Sequence, residues 1–351
     1  MSNGIFDEDG LRETEDPTPR RGRRRNRRAL FITLGLLAVV LIAGIGLVGY
    51  YGKAINDALS SVERDDTLLP TDDDGYTPPP GKAVPPGEEI DGVKAPINIL
   101  ILGTDSRGAG DRGRSDVFML AHIAGDRNSI DLISIPRDYW VPIPGHGSAK
   151  INAAYAWGGA PLSVRTVQEL LGIRIDHVAM TNFDGFIDAI DAVGGVTVHN
   201  DQASGSGGYT FPAGTVTLET GDKALTYVRE RYNLSGGDFD RNERQRDVVM
   251  AVFDKLTSRG VLADPARFRD SITTIGPSFT VDSGLTNSAI IDLAMGLGFE
   301  GSGNIRSMMA PEAGFGTSID RQSYVRVDQP GIERLGQALR DDEMSSYHAS
   351  R

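Results

Sequence analysis

Arginines and aspartates, not histidines or cysteines, carry the chemistry legible in this chain. Arg107 and Arg114 lie beside Asp105 and Asp116. Arg137 sits in "SIPRD", Arg229 and Arg231 in "YVRER", and Arg241 and Arg244 precede Gln245 in "DRNERQR". A guanidinium presents paired, permanently charged donors that match phosphate oxygens. Two nearby carboxylates suit a hard cation with oxygen ligands. Together these residue types point to a magnesium-bound pyrophosphate.

The spacing gives each cluster a position. Asp105 follows the apolar run "INILILG" (97–103), which reads as a buried strand. A carboxylate just beyond a strand's carboxyl end lies where α/β sheets collect ligands. The Gly-rich loop "RGAGDRGR" can return the chain so that Asp116, opening the strand "DVFMLAHIA" (116–124), approaches Asp105. Arg137 and Asp138 follow another strand, "SIDLISI" (129–135). Arg229 and Arg231 share a face if "YVRER" is extended, so the preceding helix is expected to end near residues 224–227. Arg241, Arg244 and Gln245 stand at i, i+3 and i+4 on one predicted helix face, within its first turns, where an anion is favoured. Asp238 or Asp240 is placed to cap that helix. Taken singly, each cluster is equally an ordinary surface ion pair or solvated helix face.

Strands and helices alternate along the chain, which gives an α/β class with a mostly buried central sheet. Helices are expected over 161–172, closed by Gly172, over 183–195, and over 240–260 with Val248, Val249, Val252, Phe253 and Leu256 on its apolar face. Residues 176–183 and 196–200 read as strands, and 200–216 as a loop or ragged hairpin.

The chain has 351 residues, a formal net charge of -12 and no cysteine. Disulfides and thiolate chemistry are excluded, and the charge opposes general nucleic-acid binding. Residues 20–28, "RRGRRRNRR", directly precede an uncharged apolar stretch over 29–51, long enough to cross a bilayer. The expectation is a cytoplasmic tail (1–28), one transmembrane helix (29–51) and an external remainder. A Pro-rich acidic linker (52–95) then leads to the folded domain (96–262). A C-terminal helical extension (263–340) and a disordered tail (341–351) follow. Neither a phosphate-binding GxxxxGK[ST] loop nor a GxSxG elbow occurs. The five histidines (122, 146, 177, 199, 348) lack zinc spacing. Tyr139, Trp140, Tyr155 and Trp157 are core residues or the lining of a sugar or lipid groove.

The blocks "ILILGTDSR", "RSDVFMLAHI", "ISIPRDYWV", "KINAAYAWGG", "TNFDGFIDAIDAVGGVTV", "GDKALTYVRER" and "DFDRNERQRDVV" occur in that order. Over about residues 96–262 the chain resembles the LytR-CpsA-Psr family of cell-envelope glycopolymer transferases. The resemblance implies an α/β/α sandwich with a central mixed sheet and a lipid-accommodating pocket. It implies Mg2+ (or Mn2+) held by Asp105 and Asp116, and pyrophosphate bound by Arg114, Arg137, Arg229, Arg231, Arg241 and Gln245. Asp238 matches a further acidic position; with Asp105, Asp116 and Arg137 it completes the implied catalytic set. Arg107 and Arg244 match motif positions without an assigned contact. The implied donor is a polyprenyl-pyrophosphate-linked glycan and the acceptor is peptidoglycan, joined by a phosphodiester at a muramic acid hydroxyl. The glycopolymer is open: teichoic acid, capsule or arabinogalactan. Two rival readings stand beside transfer: hydrolysis of the lipid pyrophosphate, and a non-catalytic envelope sensor.

Overall fold

Strict alternation in "INILILGT" sets the central layer: Asn98, Leu100, Leu102 and Thr104 are buried on one side of the strand, and their neighbours pack on the other. The computed structural model describes residues 52–53, 56–71, 94–104, 113, 115–230, 233–256, 269–270, 273–296 and 305–350. The chain divides into two units, Met1–Gly52 and Lys53–Arg351, and the architecture below is that of the second. The tail (1–28) and the expected membrane span (29–51) lie outside the described residues, as do 72–93 of the expected linker. Among the described residues no helix is long and apolar enough to cross a membrane.

The elements run β1 (Glu63–Asp65), β2 (Ile97–Thr104), β3 (Ser115–Ile123), β4 (Ile130–Ile135), β5 (Trp140–Ile143), β6 (Gly147–Lys150) and α1 (Asn152–Leu171). Next come β7 (His177–Asn182), α2 (Phe183–Ala192), β8 (Val196–Asn200), β9 (Ser204–Ser206), β10 (Tyr209–Phe211), β11 (Gly214–Leu218), α3 (Gly221–Arg229) and α4 (Asp238–Leu256). The last part holds β12 (Phe279–Asp282), α5 (Asn287–Gly296), β13 (Ile305–Met309), β14 (Glu312–Thr317), β15 (Ser323–Val327), α6 (Gln329–Arg340) and α7 (Met344–Ala349). Seven strands form a mixed sheet in the order β1-β12-β7-β2-β3-β4-β13. β2 runs parallel to β7 and antiparallel to β3, so β2 and β7 deliver Thr104 and Asn182 to the same edge.

Two layers cover this sheet. On one face Leu100, Leu102, Phe118, Leu120, Ile133 and Ile135 pack with Val164, Val167 and Leu171 of α1 and Ile332, Leu335 and Leu339 of α6. On the other, Met119, Ala121 and Leu132 meet Val249 and Met250 of α4. Beside them α2, α3 and the β8–β11 ribbon form a second cluster, with Ile190, Val198, Leu218, Tyr227 and Val248 at its centre. The α/β class and mixed central sheet are therefore as expected.

Several boundaries differ. Residues 263–340 are not a helical extension alone. β12 and β13 are strands of the central sheet, and β15 docks on the segment after Arg137 through Val325 N donating to Asp138 O at 2.9 Å. "FTVD" and "IRSMM" are too short to show a period; their conformation comes from long-range partners, β7 and β4. Arg306 of β13 forks onto buried Asp131 of β4, with Nε–Oδ1 2.8 Å and Nη2–Oδ2 2.6 Å. Residues 344–349 of the expected disordered tail are helical; Met344 is buried, and His348 Nε2 lies 2.8 Å from Asp131 Oδ1. Within the expected linker, Glu63–Asp65 pairs in parallel with β12 and Leu68 enters the core. α1 starts well before residue 161, because the chain bends at Gly159 (φ 66°) and carries Pro161 without ending the helix. Gly172 closes it in the left-handed conformation, as expected (φ 66°).

Candidate functional site

Beneath the sheet edge that carries Thr104 and Asn182 lies a cavity of about 380 Å³. Its floor is apolar: Ile101, Val117 and Met119 from the sheet, Phe186 and Ile190 from α2, Leu225 from α3, and Val249 and Val252 from α4. Gly103 also lines it; a Cβ there would stand 2.9 Å from Val117 Cβ, so the missing side chain keeps the wall open. The mouth is polar. Asp116, Arg137, Arg229, Arg241 and Gln245 all line it, joined by Thr104 and Asn182.

Each mouth residue has a local cause. A register shift between Gly103 and Thr104 against β3 brings the β2 and β3 ends together there, next to Asp116. Arg137 follows β4, and its Nη1 donates to Asp116 Oδ1 at 2.5 Å. Asp138 turns to Lys150, whose Nζ stands 3.0 Å from its Oδ1. Arg229 is the last residue of α3, its guanidinium 4.4 Å from the centre of the Phe183 ring. Tyr227–Arg229 is thus helical, not extended, because the apolar stripe Ala224, Tyr227, Val228 carries α3 on against α4. Arg241 is buried at the start of α4, one turn before Gln245.

The expected shared face of Arg241, Arg244 and Gln245 is divided. Arg241 and Gln245 turn to the cavity; Arg244 turns to the far side of α4 and serves the fold. There Arg244 Nη1 meets Glu230 Oε2 at 3.2 Å, and Nη2 meets Asn200 Oδ1 at 2.8 Å and Ser204 Oγ at 2.9 Å. Its guanidinium lies 4.2 Å from the Tyr227 ring centre. Burial opposes ionisation of Glu230, but hydrogen bonds from Ser204, Asn233 and Arg244 outweigh it and hold the carboxyl below its ordinary range. On the same side Asp247 is pushed up to about 6, first by burial and then by Glu243. Asp240 accepts from Gly236 N and from Gln202 Nε2, both at 2.8 Å, so it ties the preceding turn to the β8–β9 loop. Further along α4, buried Arg246 keeps Nε and Nη1 without a hydrogen-bond partner among the described residues, and burial lowers its pKa.

Asp105, Arg107, Arg114 and Arg231 lie outside the described residues, as does the side chain of Asp238. The aromatic residues after Arg137 divide. Tyr139 is core, its hydroxyl donating to Ala310 O and Pro311 O, while Trp140 stacks against Tyr324 at 4.8 Å between ring centres. His122 is a packed core residue, with ring nitrogens at Asn98 (2.8 Å) and Asp342 (3.1 Å). Thr104, Asn182, Phe183 and the apolar lining were not singled out from the sequence. Only Val248, Val249 and Val252 gave a signal, as the apolar stripe of α4.

The arrangement joins an apolar chamber to a cationic rim, which suits an amphiphile with a phosphorylated head. Residues 80–341 match the LytR_cpsA_psr family model. A 176-residue stretch is 46% identical to a protein of Halalkalibacterium halodurans named polyisoprenyl-teichoic acid--peptidoglycan teichoic acid transferase TagU; it covers 48% of this chain and 58% of that relative. The protein of the same name from Oceanobacillus iheyensis is 38% identical over 262 residues, 70% of this chain and 78% of the relative. A solved structure described as TagT bound to LIIa-WTA superposes with a TM-score of 0.58 at 29% identity, over 73% of this chain and 94% of that one.

Proposed function

The chain belongs to the LytR_cpsA_psr family, and from that premise we propose that it transfers a glycopolymer from a polyprenyl-pyrophosphate carrier to peptidoglycan. The observation that carries the reading is an apolar cavity rimmed by guanidinium groups. The names of the relatives, teichoic acid transferases, support the same donor and acceptor classes. Anchoring by residues 29–51, with the amino terminus cytoplasmic and the domain outside, is part of the proposal.

In this mechanism the apolar floor sequesters the prenyl chain and excludes water. Arg137, Arg229 and Arg241 bind the pyrophosphate oxygens, and Gln245 adds a neutral donor. Arg137 is oriented for this by Asp116, and Arg229 by the Phe183 ring. Such fixed donors act most where charge develops on the departing lipid phosphate. The donor set at the mouth fits a hard cation: Asp116 contributes carboxylate oxygen beside the Thr104 hydroxyl and the Asn182 amide. Magnesium, with manganese as a substitute, would be held there by Asp116 together with Asp105, its other sites filled by phosphate and water. When bound it supplies charge neutralisation.

The test uses the full chain in lipid vesicles with a polyprenyl-pyrophosphate-linked glycan, magnesium and peptidoglycan fragments, followed by mass spectrometry. A phosphodiester-linked adduct is expected. Arg241→Ala or Arg137→Ala should lower its rate by roughly 10²-fold, the usual cost of one preorganised donor. EDTA should abolish it. Wild-type rates in both variants would overturn the reading, and lipid phosphate released without adduct would favour the hydrolase.

A further inference from the structure

A second cavity of about 280 Å³ lies on the other side of α2. Its walls are polar: Asp184 and Asp188 of α2, Ser278 and Thr280 at β12, Thr274 before it, and Glu63 from β1. Thr104, Thr181 and Asn182 line both this cavity and the apolar one. α2 is the partition. Phe183, Phe186, Ala189 and Ile190 face the apolar chamber, whereas Asp184, Gly185 and Asp188 face the polar one. The partition is tightly set. A Cβ at Gly185 would stand 2.5 Å from Ser278 O and 2.8 Å from Thr181 Oγ1, and Thr181 Oγ1 itself donates to Ser278 O at 3.0 Å.

The two chambers differ in what they accept. Among the described residues the polar one is lined by carboxylates, hydroxyls and an amide and by no basic side chain, a set that suits the many donors of a carbohydrate better than phosphate. Its carboxylates are exposed, so a long glycan can enter from solvent. We propose that this polar cavity is the acceptor subsite, binding a hexosamine unit of the peptidoglycan glycan with one hydroxyl directed to the shared Thr104–Asn182 junction. The proposal rests on the transferase reading above. It gives in-line displacement a structural basis, because the acceptor enters from one side of α2 and the lipid phosphate leaves on the other. The acceptor oxygen bonds to the sugar-linked phosphorus and the bond from that phosphorus to the bridging oxygen breaks. The hydroxyl proton ends on the lipid phosphate, which departs as a monoester.

The experiment measures adduct formation by the full chain against acceptor concentration, with soluble glycan strands of peptidoglycan as the probe. Asp188→Asn removes an exposed carboxylate and leaves the fold intact; Asp188→Trp fills the chamber. The expectation is an acceptor KM raised about fivefold or more in the first variant, as for a lost charge-assisted hydrogen bond, and no transfer in the second. Donor KM and acceptor-free release of lipid phosphate should stay within about twofold in both. An unchanged acceptor KM, or a donor KM raised by the same factor, overturns the subsite while the transferase reading stands. If the wild-type chain forms no adduct, the transferase reading falls and the subsite is judged by strand binding in NMR titration. Broadening of strand resonances by wild type but not by Asp188→Trp retains a saccharide site, and equal behaviour of the two removes it.

Discussion

At the scale of residues, two arginines three positions apart have opposite duties. Arg241 faces the cavity, while Arg244 neutralises Glu230 in the interior, with side chains 5% and 2% exposed respectively. Breaking such a pair strands a buried charge, so Arg244→Ala should lower unfolding free energy by about 3–5 kcal/mol in denaturant titrations. The sequence shows both guanidiniums and their helical spacing. It does not show their division, because α4 is packed on two sides and each side accepts a cation for a different reason. Asp247 gives a pH signature. Its carboxyl rises from 3.8 to about 6 in the fold, so the folded state holds a proton that the unfolded chain releases earlier. That contribution is full below about pH 4 and is lost as pH rises through about 6. Asp247→Asn should flatten the stability profile across this window and raise the melting temperature at neutral pH.

Among the elements, α2 decides the most. Its start and its stop before the Gly pair were legible from "FDGFIDAIDAVGG", although it ends at Ala192 rather than 195, and β2, β3, β4 and β7 were legible as apolar runs. Its role as a wall was not, since that depends on which strands flank it. Asn182 caps α2 by accepting from Gly185 N at 2.8 Å. Asn182→Ala should therefore cost about 1 kcal/mol in thermal unfolding, the usual value of such a cap. α3 approaches α2 at Gly221, where a Cβ would collide with the Ile187 backbone. Gly221→Ala should thus force the helices apart, lower stability by about 1–3 kcal/mol and weaken donor binding, read from KM for the lipid-linked glycan. β12 and β13 escaped recognition because four or five residues carry no period; only their neighbours in the sheet make them strands.

For the whole molecule, the folded unit begins earlier than its composition suggests. "VERDD" lies in acidic, loop-like sequence, yet β1 closes the sheet edge and Leu68 fills core space. A chain shortened to begin at Lys94 should melt well below one beginning at Lys53. Loss of the buried Leu68 side chain alone is worth about 2–5 kcal/mol. The comparison by calorimetry also tests whether the edge of β12, once bare, promotes association.

The burial of Arg241 and Arg246 within an acidic chain has a kinetic consequence. With the basic run at 20–28 set aside, the rest of the molecule is more negative than the overall -12. An anionic polymer is then repelled at long range and attracted only on contact. Mobile ions screen the first effect over about 10 Å at 0.1 M and scarcely reach the second. Raising ionic strength should therefore quicken donor capture, the reverse of ordinary arginine–phosphate association. Stopped-flow rates with a fluorescent lipid-linked glycan at low and moderate salt read the sign directly; a slower rate in salt would mean that the rim's positive field extends beyond the acidic surface.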